Sequence, residues 1–445
     1  MMRNEAPSDG NTNKDTLAIL TLRKHQDGIW IHRLVEALQK QQQQKKDPDG
    51  LPEILIQVVV LEDFLQGPFC VSSPPPEIII DKDHLQVTAG THWMGLVNRV
   101  SDAAEPWQVK ACMAVMQIAR LVWKIPIWNG PDAYSLCTHK WCHHVLFAQA
   151  NLDSPHTVAA LQTSSCANDD DGDTINEAKD DQLKAISSSR HDNPQLEVNA
   201  VNMLYQLSIE PGDQETKPAT TPAMLNYLIK PNAGGFGAGI ERRQVKMMDE
   251  QNHAGDPRNH TPTSSTIATV QERPIPNYSD RFVLFQNYVQ PKDGKIFRVW
   301  FLMGKVQCAV ERTVEIPPLL EASTTTTTTT STEEFTSGCV GGVCQRQPKN
   351  ARPMIQPWSV PEDVRREMEE QLLPVLPPDA HCGSVEFLLA EEPSKSEETT
   401  NKLVTTYKRL YFDLNLLSTL PVEEDQQTPD PWLQLASAIW TFVRQ

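Results

Sequence analysis

Short apolar runs alternate with longer amphipathic stretches through the first third of the chain. "LAILTL" (17–22) predicts a strand. "IWIHRLVEALQKQQQQKK" (29–46) places Ile29, Leu34, Val35 and Leu38 near a 3.6-residue period and predicts a helix. The β-branched run in "LPEILIQVVVLEDF" (51–64) predicts a second strand, and "EIIID" (77–81) and "MGLVNRV" (94–100) add two more short runs. "AEPWQVKACMAVMQIARLVW" (104–123) reads as a helix and "KIPIWN" (124–129) as a strand. Strands alternating with helices imply an open α/β sheet.

Beyond this point the pattern changes. "DAYSLCTHKWCHHVLFAQANL" reads as one helix with Pro131 near its first turn. A run at "VAALQ" follows, then a helix over 196–209, a strand leading into residues 227–230, and a helix over "RRQVKMMDEQ" (242–251). Residues 281–289 and 295–314 are the strongest β block. "MGK" (303–305) turns the second of these into a hairpin of 296–302 with 306–314. A helix over 361–376, two strands over 383–392 and 408–417, and an amphipathic helix over 431–443 complete the pattern. The first 15 residues read as a disordered tail. Low-complexity inserts are expected at about 164–193, 211–220 and 317–352, the last with seven threonines at 324–330. The chain therefore divides into an open α/β domain over 16–130 and a larger unit over 131–445.

Charge adds an exclusion. The net charge is −17, and acids crowd into the first insert (Asp169, Asp170, Asp171, Asp173, Glu177, Asp180, Asp181) as a solvated segment. That balance argues against nucleic-acid binding driven by phosphate neutralisation. No apolar run reaches the roughly 18 residues of a membrane helix. The start is polar and the nine cysteines form no regular framework, so a reducing, cytoplasmic setting is expected.

The candidate chemistry centres on "YLIKPNAGGFGAGI" (227–240). Walker A spacing fails, because Lys230 precedes the glycines. Dinucleotide spacing fails at Ile240. What remains is a strand that delivers a lysine and then a glycine flap whose N–H groups can approach phosphate oxygens. A second lysine, Lys140, lies in the "NGPDAYSLCTHK" segment, and Arg298 and Arg312 lie in one hairpin. "VEF" carries Glu386, and "YFDLN" carries Asp413 and Asn415, which share one face of a strand. Three hard oxygen ligands suit Mg²⁺ completed by nucleotide phosphates. In "CTHKWCHH" the cysteines and histidines point around several helix faces and read as ordinary residues about the lysine. "DDDGDTINEAKD" has Thr174 where a calcium loop needs glycine.

In this order the segments resemble the ATP-grasp superfamily, RimK-type carboxylate–amine ligases above all, from about residue 94 onward. "LVNRV", the N-x-P…K segment, "IKPNAGGFGAGI", "GKVQCAVERT" and "FDLN" are each similar to a family motif. The resemblance implies an α/β ATP-grasp fold, two α+β subdomains clasping ATP, after a pre-ATP-grasp domain. Lys140 and Lys230 would then contact phosphates under a flap of Gly234, Gly235, Gly237 and Gly239. The backbone around Gln286, Asn287, Tyr288 and Val289 would meet adenine. Glu386, Asp413 and Asn415 would hold Mg²⁺, or Mn²⁺ in its place. Arg298 and Arg312 would face the γ-phosphate or an acyl-phosphate.

The sequence departs from the RimK pattern at Ile296, where an Asp is usual, at Glu386, which replaces an Asp, and at "LLSTLP" after the metal motif. The D-x-N form also resembles inositol-phosphate kinases of the superfamily. The expected activity is ATP- and Mg²⁺-dependent joining of a small-molecule or peptide carboxylate to an amine. An inositol-phosphate kinase, kept open by Arg242, Arg243 and Lys246, and a nucleotide-binding regulator without turnover are the alternatives. Neither nucleic acid nor membrane is an expected partner.

Overall fold

The computed structural model describes residues 15–44, 54–66, 77–81, 84–88, 92–101, 104–162, 194–208, 224–232, 240–247, 275, 281–313, 355–392, 406–417, 420 and 430–445. Residues 1–14 of the expected tail, the three inserts and the glycines of the flap lie outside the described residues, while Asp15, expected in the tail, is the first residue of a strand.

The first sheet is parallel, in the order β2-β1-β5-β6. It is built from β1 (Asp15–Thr21), α1 (Ile29–Gln44), β2 (Leu55–Val60), α2 (Leu61–Gln66), a separate hairpin of β3 (Glu77–Asp81) with β4 (His84–Thr88), β5 (His92–Asn98), α3 (Pro106–Ile118) and β6 (Ile127–Trp128). Six of the seven β1 residues are buried, as expected of a strand covered on both faces. The expected second strand stops at Val60, and "LEDFLQ" turns helical. The strand expected over 124–129 shrinks to two residues, because Lys124 and Asn129 both take left-handed backbone.

The expected single helix after Pro131 is two: α4 (Pro131–Cys137) and α5 (Lys140–Gln149). His139 is extended between them (φ −129°). The orphan N–H groups that open α5 find partners on one residue: Lys140 N donates to Asn232 O at 2.8 Å and Trp141 N to Asn232 Oδ1 at 3.0 Å. At the start of α4 the Asp379 carboxylate accepts from the N–H groups of Asp132 and Ala133. Gly130 sits so close to that carboxylate that a Cβ would collide with it.

The second sheet is antiparallel, in the order β7-β10-β8-β9. Its strands are β7 (Thr157–Leu161), β8 (Met224–Pro231), β9 (Glu241–Lys246) and β10 (Phe282–Asn287), and α6 (Pro194–Ser208) covers one face. β9 corrects the helix expected over 242–251. Arg243, Val245 and Met247 alternate inward, and β8 pairs along the whole strand, so pairing overrides the helix preference of the long polar side chains.

The third sheet is antiparallel, in the order β13-β12-β11-β14-β15. It contains β11 (Lys295–Leu302), β12 (Lys305–Thr313), β13 (Ile355–Pro357), β14 (Cys382–Glu391) and β15 (Tyr407–Asn415). Met303 and Gly304, both at positive φ, close the expected β11–β12 hairpin. The expected helix over 361–376 changes pitch, from α7 (Glu362–Arg366) to a wide π turn and then a 3-10 turn. Phe297, Val299, Val385, Phe387 and Tyr411 on the back of this sheet merge with α3, α4 and α5 into one core. On the other side of the first sheet, α1 packs against α8 (Pro431–Val443), and Trp440 Nε1 donates to Leu38 O at 3.0 Å. Each fully buried large apolar side chain there, such as Ile439, contributes about 1.5–3 kcal/mol. Among the described residues no helix is long and apolar enough to cross a membrane.

Candidate functional site

The second sheet presents a lysine. Tyr227, Ile229, Val283 and Phe285 face α6, so strand alternation sends Lys230 and Gln286 to the opposite face. Lys230 is 4% exposed. Its ammonium donates to Gln286 Oε1. Gln286 Nε2 in turn donates to Thr157 Oγ1 at 3.0 Å and lies 3.1 Å from His144 Nε2.

The third sheet presents a row of charge. Arg298 on β11 lies opposite Glu386 on β14, and Glu386 lies opposite Asp413 on β15. Three neighbouring strands thus carry cation, carboxylate and carboxylate in line. Arg298 Nε donates to Glu386 Oε1 at 2.5 Å, and Nη2 reaches the same oxygen. Glu386 is 2% exposed, and its Oε2 is buried with no hydrogen-bond partner among the described residues. A bulge between Glu386 and Phe387 locally shifts the pairing with β15. Asn415 lies two residues beyond Asp413, opposite Ser384, and its Oδ1 accepts the Leu417 N–H at 2.9 Å. Arg312 is two residues from Val310, the partner of Arg298, so it shares that face.

The two carboxylates are driven apart in acidity. Burial raises the Glu386 pKa and the Asp413 charge pushes the same way, while Arg298 and Arg312 oppose. Burial also works against ionised Asp413, but Lys140, His143 and Arg298 outweigh it and hold its carboxyl well below the usual range.

Helix α5 joins the two halves. Lys140 opens it. His143 Nδ1 lies 3.4 Å from Asp413 Oδ1 and 3.3 Å from Leu414 N. The next residue, His144, meets Gln286. Helix α5, opened by Lys140, therefore meets Asp413 at one end of the Arg298–Glu386–Asp413 row and the Gln286 that holds Lys230, while Arg312 and Asn415 share the face of that row. Asn287 does not join them, since its side chain donates to Ser208 Oγ. The N–H groups of Asn287 and Tyr288 are taken by His156 O and Asn226 O, both at 2.9 Å. Tyr288 and Val289 instead pack with Ile296, Leu388 and Phe412 in an apolar patch. The glycines of the flap lie outside the described residues.

Sequence reasoning missed His143, His144 and Thr157. The signal was two adjacent polar imidazoles in a helix that, past the exposed Val145, continues into the core residues Leu146 and Phe147.

Two buried histidines lead to an acid-side prediction. Burial, reinforced by the Lys230 charge, pushes His144 down to about 3, and burial pushes His381 down to about 4. Both lie below the ordinary value of 6.5, so the unfolded chain takes up these protons first. Their contribution is complete above pH 6.5 and is lost as pH falls, by about 1.4 kcal/mol per unit per histidine, until each folded value is passed. Urea titrations from pH 7 to 4.5 should show this decline, and replacing His381 with Phe should flatten it. An unchanged slope in that variant contradicts neutral burial of His381.

No family model matches the chain, and no curated protein sequence matches it. Among solved structures it is similar to the ATP-grasp ligase PsnB complexed with a phosphomimetic variant of minimal precursor, Mg and ADP (12% identity, 97% of this chain and 99% of that one, TM-score 0.45). It is similar to D-cycloserine synthetase DcsG (13% identity, 96% and 99%, TM-score 0.47). It is also similar to D-alanyl-alanine synthetase A from Vibrio cholerae (11% identity, 97% and 98%, TM-score 0.48). The fold is mixed α/β by its own strands and helices, and the chemistry has to come from the residues themselves.

Proposed function

We propose that this chain is an ATP-grasp enzyme that joins a carboxylate to an amine with ATP and Mg²⁺. The observation that supports this reading is the Arg298–Glu386–Asp413 row, brought by α5 next to the Lys230–Gln286 pair of another sheet. Lys230 and Lys140 would hold phosphate oxygens, and the patch of Tyr288, Val289, Ile296 and Phe412 would take a flat apolar ring. Arg298 and Arg312 would hold the substrate carboxylate beside the γ-phosphorus. The carboxylate oxygen attacks that phosphorus, the bond to ADP breaks, and an acyl-phosphate forms. The amine then attacks the acyl carbon, phosphate leaves, and the nitrogen gives up a proton to the departing phosphate or solvent. The protein's part is positioning and charge neutralisation.

The residues fit a magnesium ion. Among the described residues there is no cluster of three His, Cys, Asp or Glu side chains with metal-holding geometry. Glu386 Oε2, the ionised Asp413 and the Asn415 amide are the sparse oxygen set that Mg²⁺ accepts when phosphates complete its shell. When bound, the ion would neutralise phosphate oxygens during transfer.

The kinase reading loses support from its basic residues. Arg243 is paired with Glu197 at 2.6 Å and Glu241 at 2.9 Å, and Arg242 stacks on the Tyr288 ring at 3.8 Å. The Lys246 side chain lies outside the described residues. The deciding experiment incubates the protein with Mg-ATP and pooled amino acids, peptides or inositol phosphates and follows ADP. ADP release that needs both a carboxylate and an amine is expected. Release that needs a polyol phosphate alone would sink the ligase reading, and tight ATP binding without turnover on any pool would favour a regulator.

A further inference from the structure

Two successive residues of α5 reach different sheets. Successive side chains on a helix diverge by about 100°, which lets His143 address β15 while His144 addresses β10. His143 is 1% exposed. Its Nδ1 sits between the Asp413 carboxylate and the Leu414 N–H, so it donates to the first or accepts from the second. As a donor it holds the Asp413 carboxylate, and as an acceptor it holds the Leu414 backbone beside it.

His144 has a defined tautomer. Gln286 Oε1 accepts from the Lys230 ammonium, so the other end of that amide is a donor. His144 Nε2, 3.1 Å from Gln286 Nε2 and 3.4 Å from Thr157 Oγ1, then accepts from the amide, with its proton on Nδ1, which is buried and has no hydrogen-bond partner among the described residues. The chain His144–Gln286–Lys230 fixes where the ammonium points.

We propose that His143 and His144 are positioning residues, His143 orienting Asp413 for the metal and His144, through Gln286, orienting Lys230 for phosphate. The inference rests on the nucleotide-site reading above. The alternative is that both are packing histidines; His144 does meet the Phe147 ring edge-on. Packing is indifferent to which ring nitrogen is replaced, and positioning is not.

Amide substitutions separate the two. Asn places its amide where Nδ1 stands, and Gln reaches the place of Nε2. ADP affinity is measured by calorimetry with Mg²⁺ and with EDTA. In His143→Gln the gain in affinity conferred by Mg²⁺ should fall about tenfold, as for other groups that orient metal ligands. Affinity in EDTA should stay within about threefold of the wild type. His143→Asn should keep the gain. In His144→Asn, ADP should bind about tenfold more weakly under both conditions, and His144→Gln should keep wild-type affinity. If the two amides behave alike at either position, or if His143 variants lose equally with and without Mg²⁺, the inference is overturned. A wild-type protein that binds no ADP would overturn the nucleotide-site reading itself, which is a separate result.

Discussion

Replacing Lys230 with Met should weaken ADP binding by about a hundredfold, close to 3 kcal/mol, while leaving the thermal stability of the free protein unchanged or slightly raised. An ammonium held at 4% exposure is costly for the fold, even when a neutral amide such as Gln286 accepts from it. Met fills nearly the same volume and carries no charge, so the fold loses little. A phosphate chain loses a desolvated cation, whose attraction is strongest where water is excluded. Loss of the Lys230 charge should also let the His144 pKa rise, since that charge helps to hold it down, and imidazole resonances report this directly. If Lys230→Met binds ADP as the wild type does, the lysine is structural and the assignment fails. If it unfolds the protein, the same conclusion follows.

The second large effect is expected at Asn129, which is 1% exposed with φ +51°. Its Oδ1 accepts from His381 N at 2.9 Å and Cys382 N at 3.1 Å, and its Nδ2 donates to Cys382 O at 3.1 Å and to Leu416 O. One side chain thus ties the end of the first sheet to β14 and to the residue that follows Asn415. Asn129→Ala would leave buried N–H and C=O groups without partners and place Ala in left-handed backbone. The summed loss should be about 4 kcal/mol or more. Urea denaturation measures it, and a loss below about 1 kcal/mol would show that water replaces the amide. Asn129→Asp should not rescue, because a second acceptor would then face the Cys382 and Leu416 carbonyls.

Most strands and the long helices were legible because periods of 2 and 3.6 are local properties. The features that escaped depend on distant residues. The break before Lys140 is stabilised by Asn232, and nothing within "CTHKWC" announces it. β9 was misread because Arg242, Arg243, Gln244 and Lys246 favour helix until β8 pairs with them. The candidate site divides in the same way. Asp413 and Asn415 were readable as one strand face, since i and i+2 is a local spacing. The alignment of Arg298 with Glu386 and Asp413 is a register between strands and cannot be read from any one of them. His143 and His144 gained meaning only when Asp413 and Gln286 arrived from far along the chain.

Helix α8 has a consequence for synthesis. It covers one side of the sheet begun by β1, and the Trp440–Leu38 bond spans 402 residues. A ribosome adding about 5–20 residues per second needs roughly 20–80 s to cover that distance. For that interval Leu34 and Leu38 await a cover that has not been made, and Val97 joins them once it is added. The face of β1 and α1 is therefore made early relative to α8 and covered only once α8 is in place.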